Sequence, residues 1–191
     1  MIAGLANPII KYDNTRHNVG SWFIRSLANY HNQVLKKNKK LSGYTASLVY
    51  FNCKVRLFIP NEFMNLSGRS ILTVSDFYQI KLDEILIIHD ELDLNPGLIR
   101  LKLGSGHNGH NGIRNIINVL SKKNNFLRIQ IGIGRPDKLV EISDFVLSSP
   151  TLEEEYLIKK SILSAIDVVH ILIKERDILI AQKFLKNKVK R

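Results

Sequence analysis

Residues 98–134 read LIRLKLGSGHNGHNGIRNIINVLSKKNNFLRIQIGIG, and the order of patterns within them decides the fold class. LIRLKL alternates apolar and basic side chains, the period of a half-exposed strand. GSGHNGHNG follows as a glycine-rich loop, IRNIINVLSKK places apolar residues at helical spacing, and FLRIQIGIG alternates again as a strand. Strand, loop, helix and strand make an α/β unit, and the same alternation continues on both sides of it.

Towards the N-terminus, EILIIHDEL (Glu84 to Leu92) is a short apolar run suited to a buried strand, expected to end at Asp90. LSGRSILTVSDFYQ predicts a helix with Ile71, Val74, Phe77 and Tyr78 on one face. YTASLVYF and KVRLFIP are rich in β-branched and aromatic residues and predict a hairpin with its turn at Asn52 and Cys53; the basic segment before them reads as loop. IAGLA predicts a first strand ending at Asn7 and Pro8, and a polar loop with TRHN leads into the helical pattern SWFIRSLANYH. Towards the C-terminus, SDFVLSSP, ending at Pro150, is a candidate lid. Thr151 and the acidic residues after it open a long helix, and a second amphipathic helix reaches the basic tail. No linker, repeat or low-complexity stretch interrupts the series. The expectation is one α/β domain over residues 1–191, with a central twisted mixed sheet flanked by helices.

Bulk composition narrows the function. At 45% hydrophobic residues the chain can build a core. Lys and Arg total 28 against 17 Asp and Glu, a net charge of +11, which points to a polyanion such as nucleic acid or an anionic membrane surface. Runs such as Lys36, Lys37, Lys39 and Lys40, or Lys183 to Arg191, also suit a solvated face. Cys53 is the single cysteine, so neither an internal disulfide nor a cysteine zinc cage can form. No secretory signal pattern and no spanning apolar run is visible, so a cytoplasmic location is expected.

Polar residues at strand ends and helix starts are the site candidates: Asn7, His17, Asn65, Asp90, His110 and Asn111. Each alone has a plain structural reading, as turn former, helix cap, solvated strand end or surface histidine. Gly104 to Gly109 matches GxGxxG, yet no Asp or Glu occurs between Gly109 and Asp137, where a dinucleotide site would need an acid for the ribose. A Walker loop lacks its GKS or GKT. His107 and His110 lack the helical spacing of a metal pair, so no metal is expected. Ser67 has no GxSxG elbow and Cys53 sits in a hairpin, which leaves water as the attacking group.

Six motifs in order resemble those of bacterial peptidyl-tRNA hydrolases, almost from end to end: GLANP (Gly4 to Pro8), TRHNVG (Thr15 to Gly20), FMNLSG (Phe63 to Gly68), HDELD (His89 to Asp93), GHNG (Gly109 to Gly112) and IGIGRP (Ile131 to Pro136). The resemblance implies cofactor-free hydrolysis of the ester joining a peptide to the terminal ribose of tRNA by a monomeric, cytoplasmic enzyme without a membrane partner. It implies His17 as general base, oriented by Asp90, and Asn7 among the catalytic groups. It further implies substrate contacts from Tyr12, Met64, Asn65, His110 and Asn111, with Met64 and His110 as walls. Lys102 matches one basic residue of the family's phosphate clamp, while Gln130 stands where many members carry the second; either Arg128 or Arg135 substitutes, or discrimination of tRNA is weaker. Ile9 replaces a usual glycine, and Ser105 and Asn108 enter a normally glycine-richer loop, implying stiffer motion. The first strand is expected to be trimmed at a cost in edge stability. Competing readings are a non-catalytic RNA-binding protein on the same fold, a dehydrogenase and a peripheral membrane protein.

Overall fold

A computed structural model describes residues 1–120 and 125–189. Seven strands form one sheet in the order β2-β3-β4-β1-β5-β7-β6: β1 (Ile2–Gly4), β2 (Lys36–Asn38), β3 (Gly43–Tyr50), β4 (Cys53–Pro60), β5 (Leu86–Glu91), β6 (Ile99–Leu103) and β7 (Leu127–Gly132). The central run β4-β1-β5-β7 is parallel, and the flanking pairs β2-β3, β3-β4 and β6-β7 are antiparallel. The α-helices are α1 (Val19–Tyr30), α2 (Ser67–Tyr78), α3 (Asn111–Val119), α4 (Ile142–Val146), α5 (Leu152–Glu175) and α6 (Ile178–Val189). This is the mixed, helix-flanked sheet that the sequence predicts.

The two-residue period of the strands sorts the core into two layers. Ile2, Leu57, Leu86, Ile88, Ile129 and Ile131 pack with Phe23, Ile24 and Leu27 of α1 and Ile158, Ile162 and Ala165 of α5. Ala3, Leu5, Phe58, Ile85 and Ile87 face the other way, onto Ile71 and Val74 of α2 and Ile113 and Ile116 of α3. α5 opens on a reciprocal cap. Thr151 Oγ1 accepts from Glu154 N–H at 3.2 Å, and Glu154 Oε2 accepts from Thr151 N–H at 2.7 Å, satisfying two otherwise unpaired donors.

Several expectations need correction. The first strand lies between β4 and β5, so its shortness bears on the sheet centre and not on an edge. The segment read as basic loop contains β2, held in place by Lys36, Lys37 and Asn38 pairing with Thr45, Tyr44 and Gly43. The hairpin turn is centred on Phe51 and Asn52, both with positive φ (46° and 57°), the conformation of a two-residue turn matched to strand twist. Phe77 is exposed, turned away from the face that buries Ile71 and Val74. β7 is buried along nearly its whole length, because the glycine loop and neighbouring strands cover Arg128 and Gln130. The tail expected of α3, Ser121 to Lys123, and the last two residues of the basic tail lie outside the described residues.

Candidate active site

Parallel strands deliver their carboxyl ends to one side of a sheet, and loops there build a cleft. β1 runs on to Asn7 and β5 ends with Asp90 and Glu91. A 3-10 turn, Arg16–Asn18, precedes α1, and the glycine loop leads into α3. The end of β5, the 3-10 turn, the glycine loop and α4 enclose a cleft of 260 Å³, lined among others by His17, Asp90, His110, Asn111, Arg135 and Ile142; Asn7 stands behind the turn and is not part of this lining.

His17 Nδ1 lies 3.0 and 2.9 Å from the two oxygens of Asp90. A carboxylate accepts, so Nδ1 carries the proton and Nε2 keeps its lone pair, with no partner among the described residues. His110 supplies a second donor. Its Nδ1 accepts from Ile113 N–H at 3.2 Å, which leaves the proton on Nε2, 3.0 Å from Asp90 Oδ1. Asp90 therefore holds two imidazoles, although His110 is expected from sequence as a wall. A third ring, His89, donates from Nδ1 to the Asp90 carbonyl at 2.6 Å and meets His110 edge-on at 4.8 Å.

Burial pulls the His17 pKa down, but the charge and hydrogen bond of Asp90 outweigh it and raise it above the ordinary 6.5. Burial pushes the Asp90 carboxyl up, and His17 and His110 override this, holding it well below the usual carboxylate range. His89 is driven well below 6.5 by burial, reinforced by His110. The donor atoms of His17, Asp90 and His110 lie within 4.8 Å of one another, the spacing of a possible three-ligand metal cluster. Asp90, His17 Nδ1 and both ring nitrogens of His110 are engaged in hydrogen bonds with one another or with Ile113 N–H.

Asn18 and Asn7 fix the His17 turn. Asn18 Oδ1 accepts from Asn7 N–H at 2.8 Å, and its Nδ2 donates to Asn7 O at 3.1 Å. Asn7 Oδ1 accepts from Met64 N–H at 3.0 Å, so its amide NH2 has no acceptor among the described residues. Asn111 is arranged alike: Oδ1 accepts from Arg114 at 2.6 Å and the NH2 has no acceptor among the described residues. Met64 is buried against Gly112, where an added Cβ would come within 2.6 Å of its sulfur. Asn65 is exposed on the 3-10 turn Met64–Leu66, and Tyr12 sits on the turn Ile10–Tyr12; neither lines the cleft.

The three basic candidates separate. Arg135 stands at the cleft mouth, bonded to Asp93 Oδ1 through Nε and Nη2 at 2.8 and 2.6 Å. Lys102 is half-buried on β6 opposite Arg128. Arg128 is 1% exposed and donates to the carbonyls of Gly106 and Ser105 at 3.0 Å each, so it braces the glycine loop from beneath and is closed to an outside phosphate. Gln130 is buried and bonded to Glu91. Arg16 and Asn18, inside TRHN, and His89, inside HDELD, are site residues not singled out from sequence. The signal was their place beside His17 and Asp90.

The sequence and the fold match known proteins. The chain is 50% identical over 188 residues to a peptidyl-tRNA hydrolase of Buchnera aphidicola subsp. Baizongia pistaciae, covering 98% of this chain and 91% of that one. It is 47% identical over 175 residues to the Pectobacterium atrosepticum peptidyl-tRNA hydrolase, covering 92% and 90%. A crystal structure of the Arg119Gln mutant of Acinetobacter baumannii peptidyl-tRNA hydrolase superposes with a TM-score of 0.91 at 40% identity, covering 96% of this chain and 92% of that one. A family model described as peptidyl-tRNA hydrolase matches residues 1–191, and with that match, on this fold and around this cleft, the chain belongs to the peptidyl-tRNA hydrolase family.

Proposed function

We propose that this protein hydrolyses the ester bond between a peptide, or an N-blocked aminoacyl group, and the 3′-terminal ribose of tRNA, with His17 as general base and water as nucleophile. The carrying observation is the Asp90-centred hydrogen bonding that leaves His17 Nε2 as a lone pair open to the cleft. Water bound there passes a proton to Nε2 as its oxygen attacks the ester carbonyl, and Asp90 stabilises the imidazolium that forms. His17 then returns the proton to the departing ribose oxygen. The unengaged amide NH2 groups of Asn7 and Asn111 are the side-chain donors suited to the developing oxyanion. Ester hydrolysis needs a base, a water and such a donor, and no cofactor takes part in this scheme.

The net charge of +11 suits a substrate read through its phosphates, with Arg135 of the cleft lining and Lys102 of β6 as the candidate contacts. Binding should weaken with added salt. The protein is proposed to act in the cytoplasm as a monomer. No helix among the described residues is long and apolar enough to cross a membrane.

Release of free tRNA from N-blocked aminoacyl-tRNA, with a chelator present, tests the reading. Wild type should cleave, and His17→Ala should lose about 10²- to 10⁴-fold in kcat while tRNA binding persists. Equal loss of cleavage and binding would assign His17 to binding or folding, and dependence on metal would replace the scheme with a metal-assisted one.

A further inference from the structure

We propose that Arg16 is a positioning residue for this hydrolysis: its buried guanidinium fastens the α4 wall of the cleft to the turn that carries His17, holding the acyl end of the substrate against the base. The proposal rests on the hydrolase reading above.

Arg16 immediately precedes His17 and is 5% exposed. Its backbone N–H donates to Ser148 O at 3.1 Å. Nη1 lies 2.6 Å from Ser148 Oγ and 2.9 Å from Ser149 O, with the carbonyls of Ser148 and Phe145 at 3.3 and 3.4 Å. The Ser148 hydroxyl donates to Phe145 O at 2.8 Å, so its lone pairs are free to accept from Arg16. Backbone carbonyls at a helix C-terminus lack intrahelical partners, and here the guanidinium supplies donors to them. Nη2 donates to Glu154 Oε2 at 2.7 Å, the oxygen that also closes the N-terminal cap of α5. The guanidinium lies over the Phe145 ring, 4.2 Å from its centroid.

One side chain thus joins the His17 turn, the end of α4 and the start of α5. Ile142, Ser143 and Val146 of α4 line the cleft together with His17 and His110, so wall and base share one anchor. Stability alone explains this poorly. Burying a guanidinium is costly, and its Nε is buried without a partner among the described residues. Lysine cannot reproduce the fork: a single ammonium presents no planar pair of donors for Ser149 and Glu154 together.

Cleavage of N-blocked aminoacyl-tRNA, binding of deacylated tRNA and thermal melting are compared for wild type, Arg16→Lys, Arg16→Ala and Glu154→Gln, below the melting range of each. Arg16→Ala should lower kcat/KM about 10- to 100-fold, the scale of a small misplacement of reacting groups, with deacylated-tRNA affinity unchanged. Arg16→Lys should recover only a minor part, and Glu154→Gln should show a smaller loss in the same direction. Glu154→Gln leaves TRHN intact and serves if Arg16→Ala does not fold. Wild-type kcat/KM in folded Arg16→Ala, full rescue by Arg16→Lys, wild-type kcat/KM in Glu154→Gln, or a parallel loss of deacylated-tRNA binding would each overturn the proposal. Inactive wild type would instead defeat the hydrolase reading.

Discussion

At the scale of single residues, the Asp90 hydrogen bonds set how activity depends on pH. In the proposed scheme His17 works as a neutral base, and its folded pKa is raised above 6.5, so the acid limb of kcat should have its midpoint above 6.5. Replacing Asp90 by Asn removes the opposing charge and leaves burial to pull His17 down. The midpoint should then fall below that of wild type while kcat drops about 10²- to 10⁴-fold, read from rates between pH 5 and 8.5. An unmoved midpoint would mean that Asp90 does not set the charge state of His17. His17 and Asp90 were candidates in the sequence because TRHN and HDELD stand where a loop and a strand end present them, and their pairing was implied only by the resemblance carried by the six motifs in order. The second hold on Asp90 was not, since it depends on Ile113 N–H fixing the tautomer of His110, a contact made only once α3 begins. Arg128 misled for a related reason. Strand alternation turns it away from Ile129 and Ile131, which in sequence suggests solvent, but the loop above it supplies two carbonyls and closes it in.

At the scale of elements, the site depends on how closely α1 lies on the sheet. A Cβ on Gly20 would come within 2.6 Å of Ile88 O and of both Leu5 N and Leu5 O, and one on Gly4 within 2.0 Å of Gly20 O. These are backbone atoms and cannot swing aside. Gly20→Ala should therefore destabilise by about 1–3 kcal/mol, the range for overpacked interiors, and displace the turn preceding α1. Denaturant unfolding together with residual activity checks both parts; a stability and rate equal to wild type would show that the contact is loose. A short, continuous apolar run made β5 readable, and apolar residues at helical spacing made α1 readable. β2 was hidden because Lys36, Lys37 and Asn38 carry no strand signal of their own and are recruited by pairing with β3. The anchoring of SDFVLSSP, the candidate lid, was hidden because it depends on Arg16 reaching Ser148 and Ser149, 132 and 133 residues away in sequence.

At the scale of the whole molecule, histidines give stability a direction in pH. Burial holds His89 well below 6.5 and lowers His31 and His170, whose Nε2 atoms meet at 2.9 Å, so that one ring must donate and the other accept. For all three the unfolded chain binds a proton first as pH falls through 6.5, so stability is lost from there down through the folded values. His31 and His170 are substantially solvated and add little; His89 dominates. His17 acts oppositely: its contribution is full below 6.5 and is lost as pH rises through its raised value. With His89 dominant and the partly buried Met1 ammonium, lowered to about 6, acting in the same sense, the melting temperature should fall between pH 7 and pH 5, and a flat or rising curve would show that His17 outweighs them. The two open sides of the sheet tell of life among other chains. On one side, β2 turns the exposed Lys36 and Lys37 outward; on the other, Gln182 of α6 donates to Leu101 O of β6 at 3.1 Å, occupying an acceptor that a stranger's strand would otherwise seek. Both edges are thus blunted as templates for the polypeptides that peptidyl-tRNA carries, which favours release of a cleaved peptide over its pairing with the sheet.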